Sequence, residues 1–285
     1  ENVHPGIIAE QNPDKIAYVM AESGLTVTYG ELEKAANQGA HLFRRLGLER
    51  GDHVAILLEN HPRFLQICWA AQRAGLYYTA ISYRLQQAEV EYIVGNCEAR
   101  VFITSPGRRE VVEPLIGRMP AVERYFMVDE AITGFDAWEA AIAEMPQTPI
   151  ADQCEGQSML YSSGTTGYPK GVKKPLPEEP YGELQAPNML ELIYGANQDS
   201  IYLSPAPLYH AAPLAFTMGC LRHGIQVVVM EHFDAERALE FIERYRVTHS
   251  QWVPTMFVRM LKLPEEVRTR YDVSSLRCAI HAAAP

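Results

Sequence analysis

The stretch Tyr161-Ser162-Ser163-Gly164-Thr165-Thr166-Gly167-Tyr168-Pro169-Lys170-Gly171-Val172 combines hydroxyl side chains, glycines and one cation in a single segment. The preceding residues, Ser158-Met159-Leu160-Tyr161, have the pattern of a short strand, so we expect a loop that leaves the end of a sheet. Gly164 and Gly167 let successive amide N–H groups turn toward an anion, and Lys170 adds a positive charge. Further hydroxyl donors are Ser162, Ser163, Thr165 and Thr166. The segment therefore predicts a polyphosphate-binding loop.

Two other interpretations of this loop are a polar surface turn and a Walker loop. A surface turn is compatible with the composition, since Gly, Ser and Thr are ordinary loop residues. A Walker loop requires Gly immediately before its Lys and Ser or Thr immediately after it. Pro169 and Gly171 occupy those positions here, so the Walker interpretation is disfavoured.

The segment resembles the signature phosphate loop of the acyl-adenylate-forming superfamily. That superfamily includes acyl-CoA synthetases, aryl-CoA ligases, luciferases and the adenylation domains of peptide synthetases. Further segments are similar to other motifs of the family, in the family's order: residues 27–32, 73–85, 207–210 and 281–285. The resemblance covers nearly the whole chain and is closest to acyl-CoA synthetases.

Length and composition limit the classes of protein that the chain can represent. The 285 residues, 47% of them hydrophobic, can bury a large core as one domain or two. The net charge of −10 argues against a nucleic-acid partner. The five cysteines form an odd set without a C-x-x-C pair, which is typical of reduced thiols in a cytoplasmic protein. No apolar run has the length of a membrane helix, although peripheral membrane contact is left open.

Apolar strands alternate with helix-length amphipathic segments along most of the chain. Examples are a helix with Leu32, Ala36, Ala40, Phe43 and Leu46 on one face, and a strand over residues 54–58. This alternation predicts an α/β protein with layered sheets that carry helices on both faces. We expect two α/β lobes whose boundary the sequence does not fix. Residues 175–187 lack periodicity and predict a mobile surface excursion.

The resemblance implies a two-step reaction of a small-molecule carboxylic acid. ATP and the acid give an acyl-adenylate and pyrophosphate, and a thiol, usually that of CoA, then forms a thioester. In the family the loop from Ser162 to Lys170 binds the β- and γ-phosphates, with Mg²⁺ bound alongside them and Thr165 as its predicted ligand. A second segment would lie along the adenine ring: Ala282, Ala283, Ala284 and Pro285.

The resemblance also assigns residues to the acyl group. His210, in Pro207-Leu208-Tyr209-His210, is similar to the family His beside the acyl-adenylate, where its ring could orient the acyl group or a phosphate oxygen. Residues expected in the acyl pocket are Ala211, Phe216 and Trp252. Core packing is an equally good account of most of the residues after His210, and Trp252 is the ring expected to limit the depth of the pocket. Peptide-synthetase domains place an Asp after the aromatic residue of this motif, and His210 stands there instead. An unsubstituted carboxylic acid is therefore favoured over an amino acid, and the resemblance to acyl-CoA synthetases implies a fatty or other bulky apolar acid.

Several family elements have no counterpart before Pro285. They are the Glu that helps to hold magnesium, the Asp that binds the ribose, and the small C-terminal domain with its Lys. We therefore expect residues 1–285 to be an incomplete, truncated N-terminal adenylation domain of an AMP-forming acyl-CoA ligase, inactive by itself. The alternatives are a nucleotide-binding fragment or pseudoenzyme and, less favoured, an amino-acid-adenylating module. The sequence does not indicate the oligomeric state.

Overall fold

The computed structural model of the protein describes residues 2–162, 168–183 and 188–282. The chain forms two compact units. The terminal unit consists of Glu1–Leu32 together with Leu184–Pro285, and the central unit consists of Glu33–Glu183. The start of the chain thus belongs to the same unit as its C-terminal part.

The secondary structure of the described residues alternates between helices and strands. The α-helices are α1 (Pro5–Gln11), α2 (Tyr29–Arg45), α3 (Pro62–Arg73), α4 (Gln87–Asn96), α5 (Arg109–Val112), α6 (Trp138–Ala143), α7 (Met189–Tyr194), α8 (Ala211–Arg222), α9 (Ala235–Tyr245), α10 (Pro254–Leu261) and α11 (Glu265–Arg268). The strands are β1 (Ile16–Met20), β2 (Thr26–Thr28), β3 (His53–Leu57), β4 (Tyr77–Ala80), β5 (Val101–Thr104), β6 (Arg124–Met127), β7 (Asp136–Ala137), β8 (Gln157–Ser158), β9 (Leu160–Ser162), β10 (Lys170–Val172), β11 (Ile201–Ser204), β12 (Gln226–Val229), β13 (His249–Trp252) and β14 (Cys278–His281).

The terminal unit is built on a sheet with the strand order β14-β13-β11-β12-β1-β2. Neighbouring strands are parallel, except that β2 runs antiparallel to β1 at one edge. Val227, Val228 and Val229 of β12 are at most 1% exposed, because helices cover both faces of the sheet. Apolar side chains of β11, β12 and α9 pack together in its core, among them Leu203, Val228 and Phe241.

The central unit contains a second sheet, in the order β7-β6-β5-β3-β4-β8, with every described pairing parallel. All residues of β3 are buried. Its core includes Phe102 of β5 together with Val90 and Ile93 of α4. Burying a side chain of this size stabilises the fold by about 1.5–3 kcal/mol relative to leaving it exposed. The predicted α/β architecture, with helices on both faces of layered sheets, is confirmed.

Local signals in the sequence correctly predict several helix boundaries. In α2, the predicted inward residues Leu32, Ala36 and Phe43 are fully buried. Leu46 follows the last helical residue, and Gly47 ends the turn with a φ of +80° that favours glycine. Helix α3 begins at Pro62, and proline suits the first turn of a helix.

Helix α5 is followed directly by a tighter turn. Helix α5 ends at Val112, and a 3₁₀ turn continues from Glu113 to Leu115. Pro114 lies in this turn and has no N–H to donate to an α-helical hydrogen bond. The missing donor accounts for the change to the tighter turn.

The strand predicted before the phosphate loop is divided into two strands with different partners. Gln157–Ser158 pairs with β4 in the parallel sheet, whereas Leu160–Ser162 pairs with Lys170–Val172 in an antiparallel hairpin. The predicted loop does follow the end of a sheet, but that sheet is the two-stranded hairpin of β9 and β10 and not the parallel sheet. The end of the predicted loop, Lys170–Val172, is itself a strand.

Candidate functional site

The two ends of the predicted phosphate loop pair with each other. Lys170 lies opposite Ser162, and Gly171 lies opposite Tyr161. The Ser162 hydroxyl donates to the carbonyl oxygen of Lys170 over 3.4 Å. Residues directly opposite in an antiparallel pair project to the same face, and both side chains are exposed. The hairpin therefore presents a hydroxyl and an ammonium group side by side at the base of the loop.

Gly171 is required for the close packing of this hairpin. A Cβ atom at Gly171 would lie 2.6 Å from the Met159 methyl carbon and 2.9 Å from Cζ of Tyr161. Such distances are shorter than van der Waals contact, so any larger residue would displace the Tyr161 ring. The glycine after Lys170 thus has a packing role that the sequence pattern alone does not indicate.

Part of the predicted nucleotide site lies outside the described residues. In the loop these residues are Ser163, Gly164, Thr165, Thr166 and Gly167, and in the adenine segment they are Ala283, Ala284 and Pro285. Their predicted roles, including Thr165 as a magnesium ligand, stay predictions.

Helix α4 contacts the hairpin at Tyr161 and Tyr168, which lie on either side of residues 163–167 in sequence. The Tyr161 hydroxyl donates to Oδ1 of Asn96 over 2.6 Å. The Tyr168 ring lies 4.6 Å from the Tyr92 ring, measured between centroids, at an interplanar angle of 31°. Burial raises the pKa of Tyr161, with smaller contributions from Cys97 and Tyr92. The hydroxyl therefore remains protonated and available as a donor to Asn96.

A cation and a histidine meet just beyond the hairpin. Nζ of Lys173 lies 3.0 Å from Nε2 of His53 and 4.5 Å from the centroid of the Tyr77 ring. The His53 and Tyr77 rings stack with centroids 4.7 Å apart. Burial, and secondarily the charge of Lys173, lowers the pKa of His53 to about 4. His53 is therefore neutral at pH 7, and its Nε2 accepts a hydrogen bond from Lys173.

The segment after the hairpin is anchored to the central unit, so the predicted mobile excursion is wrong for residues 175–183. Arg50 donates to the carbonyl oxygen of Pro177 over 2.9 Å, and the backbone N–H of Gly182 donates to Oε1 of Glu155 over 2.8 Å. Tyr181 is only 7% exposed. These contacts satisfy backbone groups that a free loop would leave to water. Residues 184–187 lie outside the described residues.

In the terminal unit, other predicted site residues follow strands of the parallel sheet. His210 comes after β11, Trp252 ends β13, and Ala282 follows β14, where its N–H donates to the carbonyl oxygen of Trp252 over 2.9 Å. In this sheet β11 and β13 are neighbours. The chain leaves β11 toward β12 on one side of this pair, and it leaves β13 toward β14 on the opposite side. Such a reversal at the carboxyl ends of parallel strands is a common position for ligand sites in open α/β sheets. The sheet thus brings the segments after β11, β13 and β14 to one edge.

His210 is exposed and occupies the N-cap position of α8. Its carbonyl oxygen accepts from the Leu214 N–H over 3.1 Å, and its own N–H donates to the carbonyl oxygen of Pro207 over 3.2 Å. The rings of Tyr209 and His210 lie 4.3 Å apart. The backbone of this residue is therefore fixed by the start of the helix, while the imidazole is reachable from solvent.

The residues predicted for the acyl pocket differ in their surroundings. Ala211 is exposed in the first turn of α8. The partly buried Phe216 ring stacks on Tyr202 at 6.2 Å. Trp252 is 2% exposed, packs in the core of the terminal unit, and donates from Nε1 to Oγ of Ser250. For Phe216 and Trp252 the contacts favour the packing interpretation, and the acyl-pocket role stays a prediction.

Residues 2–162, 168–183 and 188–282 contain no group of three or more His, Cys, Asp or Glu side chains arranged to hold a metal ion. In the same residues, no helix combines the length and apolar character needed to cross a bilayer.

Sequence reasoning missed the contacts of Tyr92 and Asn96 with the hairpin. Both residues lie on α4, four positions apart and therefore on one helix face. These residues lie far from the loop in sequence. Their side chains, an aromatic ring and an amide, do not indicate which residues they contact. A motif match within the loop itself could not have found them.

Comparison with known proteins identifies relatives along nearly the entire chain. The family described as "AMP-binding enzyme" matches residues 8–285. A 4-coumarate-CoA ligase 1 from Narcissus pseudonarcissus is 30% identical over 96% of this chain and 50% of its own length. The chain thus spans about half the length of the curated relatives that it matches.

Solved structures share the fold at lower sequence identity. A long-chain-fatty-acid-CoA ligase from Archaeoglobus fulgidus superposes with a TM-score of 0.83 at 21% identity, covering 99% of this chain and 56% of that chain. An anthranilate CoA ligase solved with anthranoyl-AMP gives a TM-score of 0.82 at 22% identity, covering 99% of this chain and 55% of that chain. These similarities establish the architecture of the two units.

Proposed function

The chain belongs to the AMP-binding enzyme family, and from this premise we propose that it carries the ATP-binding part of an AMP-forming acid–CoA ligase. The proposed reaction activates a carboxylic acid. A carboxylate oxygen bonds to the α-phosphorus of ATP, and the bond from that phosphorus to the bridging oxygen breaks, releasing pyrophosphate. A CoA thiol then attacks the acyl carbon of the adenylate, and AMP leaves.

The observation that carries this proposal is the pairing of Ser162 with Lys170. Attack of a carboxylate on ATP brings two anions together, so positive charge held near the phosphates lowers the barrier. Lys170 is exposed at the base of the loop, beside the Ser162 hydroxyl. The ammonium group suits the terminal phosphates of ATP, and the Ser162 hydroxyl could join it by exchanging the Lys170 carbonyl oxygen for a phosphate oxygen.

Magnesium belongs to this proposal as part of the MgATP substrate. Mg²⁺ is usually held by substrate phosphates and waters with one or two protein oxygens, rather than by an all-protein cage. The hydroxyl donor set of the loop fits such binding, with Thr165 as the proposed protein oxygen. The ion would offset negative charge on the phosphates.

The proposed acid is fatty or otherwise bulky and apolar, and His210 would orient its acyl group. The match to a 4-coumarate-CoA ligase and the fold shared with a long-chain-fatty-acid-CoA ligase support an apolar acid of either kind. The exposed imidazole after β11, with Ala211 beside it, supports a site at that edge of the terminal sheet. No Asp stands next to Tyr209 that could pair with a substrate amino group, because His210 occupies that position. This favours an acid without an α-amino group.

The test of the nucleotide site is the Lys170→Ala variant. Loss of a charge-assisted contact to phosphate should weaken MgATP binding by about 10- to 100-fold, measured by titration with a fluorescent ATP analogue. Lys174→Ala is the matched control, since it removes an exposed charge from the same segment. Equal affinities of Lys170→Ala and the unaltered protein would reject the site.

The test of the reaction is pyrophosphate release with a panel of acids. We expect release with apolar acids such as decanoate or 4-coumarate, followed by thioester formation when CoA is added. Release that depends on an amino acid and not on fatty or aromatic acids would overturn the proposed substrate class.

A further inference from the structure

Helix α4 supports the hairpin that carries the predicted phosphate loop. We infer that Tyr92 and Asn96 are positioning residues for nucleotide binding, acting through Tyr168 and Tyr161. The inference rests on the proposed function, because it assigns the support of the same phosphate site. Neither residue belongs to the loop, and neither would touch the nucleotide itself.

The two contacts bracket the loop in sequence. Tyr161 precedes Ser162 in β9, and Tyr168 lies two residues before Lys170 at the start of β10. Tyr161 is held through its hydroxyl, 2.6 Å from Oδ1 of Asn96, and Tyr168 through its ring, 4.6 Å from that of Tyr92. One helix face therefore contacts the chain on each side of the loop.

Helix α4 is suited to act as a fixed support. Val90, Ile93 and Val94 are at most 2% exposed and pack into the core of the central unit. At its start, Gln86 and Glu89 form a capping box that satisfies backbone N–H groups. Because the opposite face of the helix is packed in the core, its contacts can transmit a defined position to the hairpin.

The exposure of Tyr168 explains why contact with Tyr92 would matter for the hairpin. Tyr168 is 71% exposed, so solvent alone would leave its ring free to rotate. Contact with Tyr92 restricts the ring to one side of the hairpin, and aromatic pairs prefer defined offsets or edge contacts. A binding loop that is held near its bound conformation loses less entropy when the ligand arrives.

The chemistry of the Tyr161 contact is independent of the ring contact. The hydroxyl of Tyr161 donates to an amide oxygen at a solvent-exposed position, whereas the other contact joins two aromatic rings. Gly171 leaves room for this ring across the ladder. The hairpin is therefore held by one polar and one aromatic contact, which variants can remove separately.

The experiment uses paired variants at each contact, with MgATP affinity as the main measurement. Tyr92→Ala removes the aromatic partner, whereas Tyr92→Phe keeps it. Asn96→Ala removes the acceptor, whereas Asn96→Asp keeps an acceptor oxygen. We expect each of the two alanine variants to bind MgATP about threefold to tenfold more weakly, which corresponds to the loss of one hydrogen bond or one aromatic pair. The conservative variants should bind MgATP as tightly as the unaltered protein.

A double-variant cycle and a helix control separate positioning from loss of fold. Tyr161→Phe combined with Asn96→Ala should weaken binding no more than either change alone, because both remove the same hydrogen bond. Gln87→Ala on the same helix should leave affinity unchanged. The thermal midpoint of each variant shows whether it remains folded. If Asn96→Ala unfolds, Tyr161→Phe alone still tests the polar contact, because it removes the hydrogen bond and keeps the ring.

The outcomes distinguish this inference from the proposed function. If Lys170→Ala weakens MgATP binding while the alanine variants at Tyr92 and Asn96 leave it unchanged or tighter, the positioning role is rejected and the phosphate site stands. If Lys170→Ala also has no effect, both are rejected. Weaker binding without rescue by the conservative variants would likewise overturn the positioning role.

Discussion

The guanidinium of Arg73 is fully buried and donates to both carboxylate oxygens of Glu33, with Nη1–Oε1 and Nη2–Oε2 distances of 2.7 and 2.5 Å. Asn37 accepts a further bond from Nη1, and the Tyr181 ring centroid lies 5.5 Å from the guanidinium carbon. Arg73 ends α3, Glu33 belongs to α2, and Tyr181 belongs to the segment after the phosphate hairpin. One buried cation therefore joins three parts of the central unit.

The first prediction concerns this ion pair. Arg73→Met should lower the free energy of unfolding by about 3–5 kcal/mol, because it leaves the Glu33 carboxylate without its buried partner. Urea denaturation, monitored by tryptophan fluorescence, measures the decrease in the free energy of unfolding. Arg73→Met combined with Glu33→Leu should lose less than Arg73→Met alone.

The control for this prediction is Arg109→Met. Arg109 pairs with Glu113 one helical turn away, and both side chains are largely exposed. Such surface pairs contribute about 0–1 kcal/mol. If the Arg73 variant lost no more stability than the Arg109 variant, the ion pair would not be a main support of the unit.

Periodicity predicted much of the fold because local sequence and global packing agree there. The inward face of α2 and the strand beginning near Val54 were visible in the chain, since parallel strands are apolar throughout and amphipathic helices repeat every 3.6 residues. The anchoring of residues 175–183 was not predictable in this way. Its partners, including Arg50 and Glu155, lie far away in sequence, and a Pro- and Glu-rich segment shows no period.

For the candidate site, the sequence provided the residues but not their support. The motif identified Lys170, yet its pairing with Ser162 depends on the close packing that Gly171 allows. The burial of Arg73 was not predictable from α3, because that helix also carries the polar residues Arg63, Gln66 and Gln72. The contact of Tyr92 with Tyr168 was not predictable either, because nothing in the sequence links a residue of α4 to a ring in the predicted loop.

The second prediction concerns acid pH and His53. Its pKa is lowered to about 4 in the folded protein, first by burial and then by Lys173, whereas an unfolded His titrates near 6.5. Between these values the unfolded chain binds more protons, so the free energy of unfolding should fall as pH decreases from about 6.5 to 4. Urea denaturation at several pH values measures the slope. His53→Phe, which keeps an aromatic ring beside Tyr77, should reduce that slope.

Lys173→Met provides an independent check on the cause of this shift. Removing the ammonium group near Nε2 should raise the pKa of His53 toward its ordinary value, which NMR titration of the imidazole would detect. Burial should keep part of the depression in place. An unchanged pH slope in His53→Phe, together with an unchanged imidazole pKa in Lys173→Met, would contradict the assignment.

Glu155 is the buried group that holds the far end of the segment after the hairpin. Its side chain is 3% exposed. Oε1 accepts from the Gly182 N–H over 2.8 Å, and Oε2 accepts from the Gln72 side-chain amide. Gln72 in turn accepts from the Tyr78 hydroxyl over 2.8 Å. A carboxylate suits this position because both neighbouring groups are donors.

The third prediction is that Glu155→Gln frees this segment. A Gln amide offers one oxygen where the carboxylate offers two, so either Gly182 or Gln72 loses its acceptor and the variant should lose about 1–3 kcal/mol of stability. The Gly182 amide should then exchange with deuterium faster, which mass spectrometry of the peptide over residues 173–183 would detect. Glu178→Gln, at an exposed position of the same segment, should change neither quantity. Equal exchange in the two variants would show that the segment is held by its other contacts, such as Arg50 with Pro177.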